Sequence, residues 1–130
     1  CAGPGDPAGR VFVFPHAAPG CRRFDPDPAA TAGAGIRLLT VDRPGYGAMR
    51  DRPMPFDGQV AVLGEAAHWL LARAGAGLPL FLHGHSIGGM LALLLPGAET
   101  ELPIVGLAMT GAGATAFREH IAYLRGIIDG

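Results

Sequence analysis

The hexapeptide Gly84-His85-Ser86-Ile87-Gly88-Gly89 lies between a short apolar run, Leu80-Phe81-Leu82, and the wholly apolar stretch Met90 to Leu95. A serine hydroxyl becomes a useful nucleophile when the backbone holds its oxygen clear of its neighbours and a base can reach it. A strand that turns sharply into a helix meets the first need. A side chain at the tip of such a turn crowds the residues two positions either way, and glycine at 84 and 88 removes that crowding. The same turn aims the Ile87 amide beside the N-terminus of the following helix, where an oxyanion would be stabilised. The chemistry this pattern suits is acyl transfer through Ser86. The plain alternative is a glycine-rich strand-to-helix turn carrying an idle serine.

Two nucleotide-binding readings fail on residue type. A dinucleotide fingerprint would need glycine in place of Ser86, and a P-loop would need a lysine that the chain, whose basic residues are all arginine, does not have. His83 and His85 are two apart and would share one face of a strand, the spacing of a metal pair. No carboxylate or third histidine stands nearby at ligand spacing, so no metal site is expected. His16 is expected to brace its loop and not to act as a base, and His68 to lie on the surface or rim of a helix. After Ser86 the chain offers Glu99, Glu101, Glu119, His120 and Asp129 as acids and base. Glu119 and His120 are neighbours on a predicted helix, where adjacent residues point about 100° apart, so they do not form a relay.

The elements that must position Ser86 alternate along the chain. Val11-Phe12-Val13-Phe14, β-branched and aromatic and closed by Pro15, predicts a buried strand. Asp27-Pro28 opens a small-residue stretch, Ala29 to Ala34, that predicts a short helix with Asp27 as N-cap, Pro28 at its first position and Gly35 ending it. Ile36 to Val41 is a second strand. Asp42 to Pro55 carries five Arg or Asp residues and three prolines, too punctuated for a regular element. Asp57 is expected to cap a longer helix, in which Val60, Leu63, Ala67, Leu70, Leu71 and Ala74 recur every three or four residues until Gly75 stops them. The strand from Leu80 ends near His83, and Met90 to Leu95 is apolar all round, as in a helix buried on every side. Ile104 to Met109 is a fourth strand. Phe117, Ile121, Leu124 and Ile128 form a stripe on a last helix starting near Thr115. This order implies an α/β fold of right-handed βαβ units, with a mainly parallel sheet covered on both faces and the strand before Ser86 in its centre. No internal repeat is present.

Composition agrees with one buried core. Of 130 residues, 49% are apolar and 16% charged, which excludes a disordered chain. A net charge of -1 provides no electrostatic footprint for nucleic acid or an anionic membrane, and no apolar run approaches the roughly 18 residues of a membrane span. Two cysteines, Cys1 and Cys21, are too few for a disulfide framework, so a reducing, cytoplasmic compartment is expected. The opening at Cys1, with no Met and no signal segment, reads as a trimmed or processed start within a loop, although a mature lipoprotein would also begin with Cys.

Three stretches, Val11 to Gly20 (VFVFPHAAPG), Ile36 to Gly47 (IRLLTVDRPGYG) and Leu80 to Gly89 (LFLHGHSIGG), together resemble the N-terminal half of an α/β-hydrolase, in that family's order and at about its spacing. The resemblance implies a three-layer α/β-hydrolase fold, with residues 1–130 as the N-terminal portion of the core and about 115–130 as the start of a lid. The family's first loop reads His-Gly-x-Pro-Gly in peptidase-like and esterase-like members and Pro-His-Ala-Gly-Gly in type II thioesterases; His16-Ala17-Ala18-Pro19-Gly20 mixes the two. By the resemblance the second oxyanion-hole amide belongs to Ala18, or to Ala17 if the register shifts by one, and Asp42 is a structural residue outside the triad. No cofactor is implied, and the partner is a small-molecule acyl substrate. The PHA sequence points to thioesters of carrier-bound acyl chains. Ala18-Pro19-Gly20 and Asp42-Arg43-Pro44-Gly45 point to small esters or to an aminopeptidase of the proline-iminopeptidase type.

In that family the triad acid and then the histidine follow the nucleophile, after later strands. Here His120 precedes Asp129, and none of the candidates fits. Three accounts follow: the chain is one piece of a longer hydrolase, a separate chain completes its triad, or it is a catalytically silent module that binds. Taken alone, the Phe117 stripe and an uncovered sheet edge are expected to drive a homodimer, or to need the remainder of the same polypeptide.

Overall fold

The computed structural model describes residues 10–75 and 77–111. Cys1, the stripe of Phe117, Ile121, Leu124 and Ile128, the residues Glu119, His120 and Asp129, and the expected lid start at 115–130 lie outside the described residues.

Strands β1 (Val11–Val13), β2 (Arg37–Leu39), β3 (Leu80–His85) and β4 (Ile104–Thr110) form one parallel sheet in the order β2-β1-β3-β4. Val13 stands opposite Leu39 on one side and Leu82 on the other, and Leu82 opposite Leu107. The strand that leads to Ser86 is therefore interior, as its apolar sequence requires. β2 is shorter than the run Ile36 to Val41. Its ladder ends where the Leu39 carbonyl accepts the Phe14 N–H at 2.9 Å, and Thr40 then turns its hydroxyl to the Arg22 carbonyl at 2.5 Å.

Helix α1 (Pro28–Gly33) has the predicted ends: the Asp27 carboxylate accepts the Ala30 N–H at 3.0 Å, and Gly35 follows at φ +63°. Helix α2 (Phe56–Ala74) starts before Asp57, which does not cap it. Pro55, with φ −61° and ψ 168°, brings an extended chain to the first turn, and Asp57 sits inside that turn, accepting the Gly58 N–H at 2.9 Å. Val60, Leu63, Ala67 and Leu71 are buried as the stripe requires, Leu70 is half-buried and Ala74 is exposed. Helix α3 (Ile87–Ala98) continues through Pro96. It is not buried on every side: Leu91, Ala92 and Leu95 are in the core, while Leu94 is 48% exposed. A helix packed on one sheet face beside one neighbouring helix leaves its remaining flank outward.

Alternation along the strands makes three layers. Val11, Val13, Leu80 and Leu82 turn to one face and pack with the buried residues of α2 and α3. Phe12 and Phe81 turn to the other and stack at 5.0 Å. There Phe12 lines, with Ala30, Ala34, Leu38 and His83, a cavity of about 270 Å³ beneath α1. The chain leaves β1 by α1 on one face to reach β2, and leaves β3 by α3 on the other face to reach β4. The β1–α1 and β3–α3 connections thus pass to opposite faces of the sheet, and the carboxyl edge where the adjacent strands β1 and β3 meet is the usual ligand position in an open α/β sheet. No helix among the described residues is long and apolar enough to cross a membrane.

Candidate active site

The chain leaves β3 at Ser86, which has φ 54° and ψ −126° and is the one non-glycine residue with positive φ among those described. L-residues rarely adopt this backbone, and it persists only where surrounding structure enforces it. The enforcement is visible. The Ser86 N–H donates to the Thr110 carbonyl at the end of β4, 2.9 Å away, and the Ser86 carbonyl accepts the Gly89 N–H at 2.9 Å. A Cβ on Gly84 would strike the Gly88 carbonyl and the Gly89 Cα, so the turn closes only around glycine. Serine at a helix N-cap ordinarily spends its hydroxyl on a backbone N–H of the first turn. Ser86 makes no such bond, and its oxygen stays available. Ile87 begins α3, and its N–H is one of those a helix leaves without an internal acceptor.

The loop after β1 lies directly against this turn. A Cβ on Gly88 would collide with the Pro15 carbonyl and come within 3.0 Å of the His16 carbonyl. The turn that carries Ser86 and Ile87 and the loop that leads into Ala17 and Ala18 thereby lie against each other at the carboxyl edge of the sheet; Ala17 is half-buried and Ala18 exposed.

His16 braces that loop. It is 1% exposed, its Nδ1 lies 2.7 Å from the Ala17 carbonyl oxygen, and its Nε2 lies 3.2 Å from the Arg43 backbone nitrogen. A carbonyl can only accept and a backbone N–H can only donate, so Nδ1 carries the proton and Nε2 is the bare acceptor. Burial pushes the His16 imidazole below its ordinary 6.5, with the Arg43 charge adding to the fall and the Ala17 carbonyl and Asp42 opposing it. Gly20 closes over the same ring, since a Cβ there would stand 2.8 Å from Nδ1 and 2.7 Å from the Ala17 oxygen.

Behind the loop sits the Asp42–Arg43 turn. The Asp42 carboxylate accepts the Arg22 N–H at 2.7 Å and the Ala48 N–H at 3.0 Å, and pairs with the Arg22 guanidinium. Burial alone would raise this carboxyl; the bonds from Ala48 and Arg22 outweigh it and hold Asp42 below the usual carboxylate range. Gly47, at φ +53°, passes so close that any Cβ would overlap the Asp42 carboxylate. Arg43 is 2% exposed, donates from Nη1 to Gln59 Oε1 at 3.0 Å and lies 4.5 Å over the Tyr46 ring. Among the described residues, its Nε and Nη2 have no hydrogen-bond partner.

The other histidines are engaged separately. His83 packs against Phe14 with ring centres 5.2 Å apart, and burial followed by the nearby His85 lowers its pKa. His85 reaches the Thr110 hydroxyl at 3.1 Å, and His68 pairs with Glu99 at 3.0 Å, joining α2 to the end of α3. Among the described residues, no group of three or more His, Cys, Asp and Glu side chains is placed to hold a metal. Sequence reasoning missed Arg22, Tyr46 and Gln59: each acts through a partner with no fixed sequence offset, so no spacing rule could find them.

A family model described as the alpha/beta hydrolase family matches residues 6–129. The chain belongs to the alpha/beta hydrolase family. Solved structures with the same fold include the thioesterase RedJ from the prodiginine biosynthetic pathway of Streptomyces coelicolor, which is 22% identical with a TM-score of 0.62 over 99% of this chain and 55% of its own. The 2-hydroxy-6-oxo-6-phenylhexa-2,4-dienoate hydrolase of Rhodococcus sp. strain RHA1 is 23% identical with a TM-score of 0.62, covering 84% of this chain and 40% of its own. ClbQ from the colibactin NRPS/PKS pathway is 17% identical with a TM-score of 0.63, over 80% and 44%. At such identities the likeness is one of fold, and this alpha/beta hydrolase chain spans about half the length of each. Among curated proteins no sequence matches it.

Proposed function

We propose that this chain carries the nucleophile side of a serine hydrolase site that cleaves an ester or thioester. The observation that carries this reading is the Ser86 backbone, strained to φ 54° at the end of an interior strand with its hydroxyl unspent on capping. Ser86 Oγ attacks the acyl carbon while a base takes its proton. The amide of Ile87 and a second amide from Ala18, or from Ala17 beside it, hold the oxyanion. The alcohol or thiol then leaves with that proton, and water repeats the attack on the acyl-serine. The acid and the base come from outside the described residues, in the remainder of the polypeptide or a second chain. Among the described residues, no side-chain hydrogen bond reaches the Ser86 hydroxyl.

For the substrate, a thioester is favoured: His16-Ala17 after Pro15 is the thioesterase-like form of the first loop, and RedJ and YbtT, a type II thioesterase of the yersiniabactin pathway, are among the neighbours in fold. With the complete protein, a fluorophosphonate probe labels the wild type and leaves Ser86→Ala unlabelled. Equal labelling of both would refute the reading and favour a silent binding module. Acyl-thioesters, p-nitrophenyl esters and proline anilides compared side by side then choose the substrate class.

A further inference from the structure

His16 belongs to none of the catalytic roles above, yet it is buried and fully engaged beside the loop that carries Ala17 and Ala18. Both ring nitrogens are used, the ring is 1% exposed, and it meets the Tyr46 ring edge-on at 5.4 Å. Its two bonds connect different parts of the molecule. Nε2 accepts from the Arg43 N–H, in a turn that is itself fixed: the Arg43 side chain is tied to Gln59 of α2, and its neighbour Asp42 to Arg22 and Ala48. Nδ1–H donates to the Ala17 carbonyl, within the loop that lies against Gly88.

The Ala17 carbonyl and the Ala18 N–H belong to one planar peptide unit, in which the two dipoles point in nearly opposite directions when the bond is trans. Pinning the Ala17 oxygen toward the buried ring therefore turns the Ala18 N–H away from it, toward the exposed side of the loop. Resting on the serine-hydrolase reading, we propose that His16 is a positioning residue: its Nδ1–H tautomer, anchored through Nε2 to Arg43, sets the orientation of the Ala17–Ala18 peptide and so aims the second oxyanion donor. It touches no substrate atom. Its contribution appears in the step where the oxyanion forms, in kcat and not in KM.

Two variants of the complete protein separate the two bonds. His16→Asn places an amide N–H near the position of Nδ1 and keeps the bond to Ala17. His16→Gln places its amide oxygen near Nε2 and keeps the tie to Arg43 while losing the donor to Ala17. The loss of one oxyanion-hole donor costs about 10²–10³ in kcat. H16Q, whose donor is misaimed, is expected to lose about tenfold to a hundredfold in kcat with KM within twofold of wild type. H16N is expected to recover most of that loss. Full kcat in H16Q, or a loss in H16N equal to that in H16Q, would overturn the proposal. Independent of how either variant folds, 15N NMR of the wild type at pH 7 should find His16 protonated at Nδ1 and bare at Nε2; the opposite tautomer or an imidazolium overturns it. The fluorophosphonate control tells this failure from that of the reading beneath it. Labelling that ignores Ser86→Ala sinks both, whereas Ser86-dependent labelling with full kcat in H16Q sinks only the positioning role.

Discussion

The carbonyl oxygen of Pro15 occupies the space that a Cβ on Gly88 would need. The first turn of α3 and the loop leaving β1 are in direct backbone contact there. Neither partner can give way easily, because Pro15 is buried and Gly88 lies on the most buried side of its helix.

Gly88→Ala should therefore push the loop from the helix, costing the complete protein about 1–3 kcal/mol as overpacking does and sharply slowing fluorophosphonate labelling of Ser86. Gly97→Ala is the control on the same helix. A Cβ there meets nothing within 4 Å, so alanine should raise stability by up to about 1 kcal/mol through its helix propensity. Denaturant melts and labelling rates of the two variants check the contrast; equal behaviour would contradict the contact.

Asp42 carries the pH prediction. Its folded pKa lies below the unfolded 3.8, so the unfolded chain binds its proton first as pH falls. The stabilisation from Asp42 is fully present above about pH 4 and is lost as pH drops through the lower folded value. Asp42→Asn should cost about 1–3 kcal/mol at neutral pH, by breaking charge-assisted bonds from Arg22. The gap to wild type should narrow below pH 4 in unfolding curves taken across pH.

Arg43 and Gln59 make an asymmetric pair. Gln59→Leu removes the acceptor for Arg43 Nη1 from a buried guanidinium, a loss of about 1–3 kcal/mol. Arg43→Met removes the buried charge together with its unpartnered Nε and Nη2 and should be near neutral or stabilising. In the Arg43→Met background, Gln59→Leu should cost much less; additive losses in the double-mutant cycle would contradict this account.

Asp27→Ala should unfasten the start of α1, costing about 1 kcal/mol by loss of the N-cap. Hydrogen exchange reads it directly, as faster exchange at the Ala30 amide, whose acceptor is the Asp27 carboxylate, with core amides of β3 unchanged.

What the sequence determined by itself was local. Asp27-Pro28 and Gly35 delimit α1 because capping, a preset φ and a left-handed exit act within a few residues. Gly84-x-Ser86 implied the elbow because the crowding that Gly84 relieves, against Gly88 and Gly89, lies within the same turn. Asp57 misled for the same local reason: an acidic residue before an apolar stripe reads as a cap, while Pro55 had already set the chain's direction. The tertiary structure decided what depends on distant segments meeting. Gly88 meets Pro15, more than seventy positions earlier in the chain, a contact that no local spacing announces. Leu94 has the same apolar character as Leu91 and Leu95, yet it is exposed because only one flank of α3 faces the sheet and α2. His16 has both ring nitrogens occupied because the order β2-β1-β3-β4 brings the Asp42–Arg43 turn alongside the loop from β1. Capping and turn chemistry depend on neighbours in the chain and can be read along it, whereas packing and shared hydrogen bonds depend on which strands lie side by side.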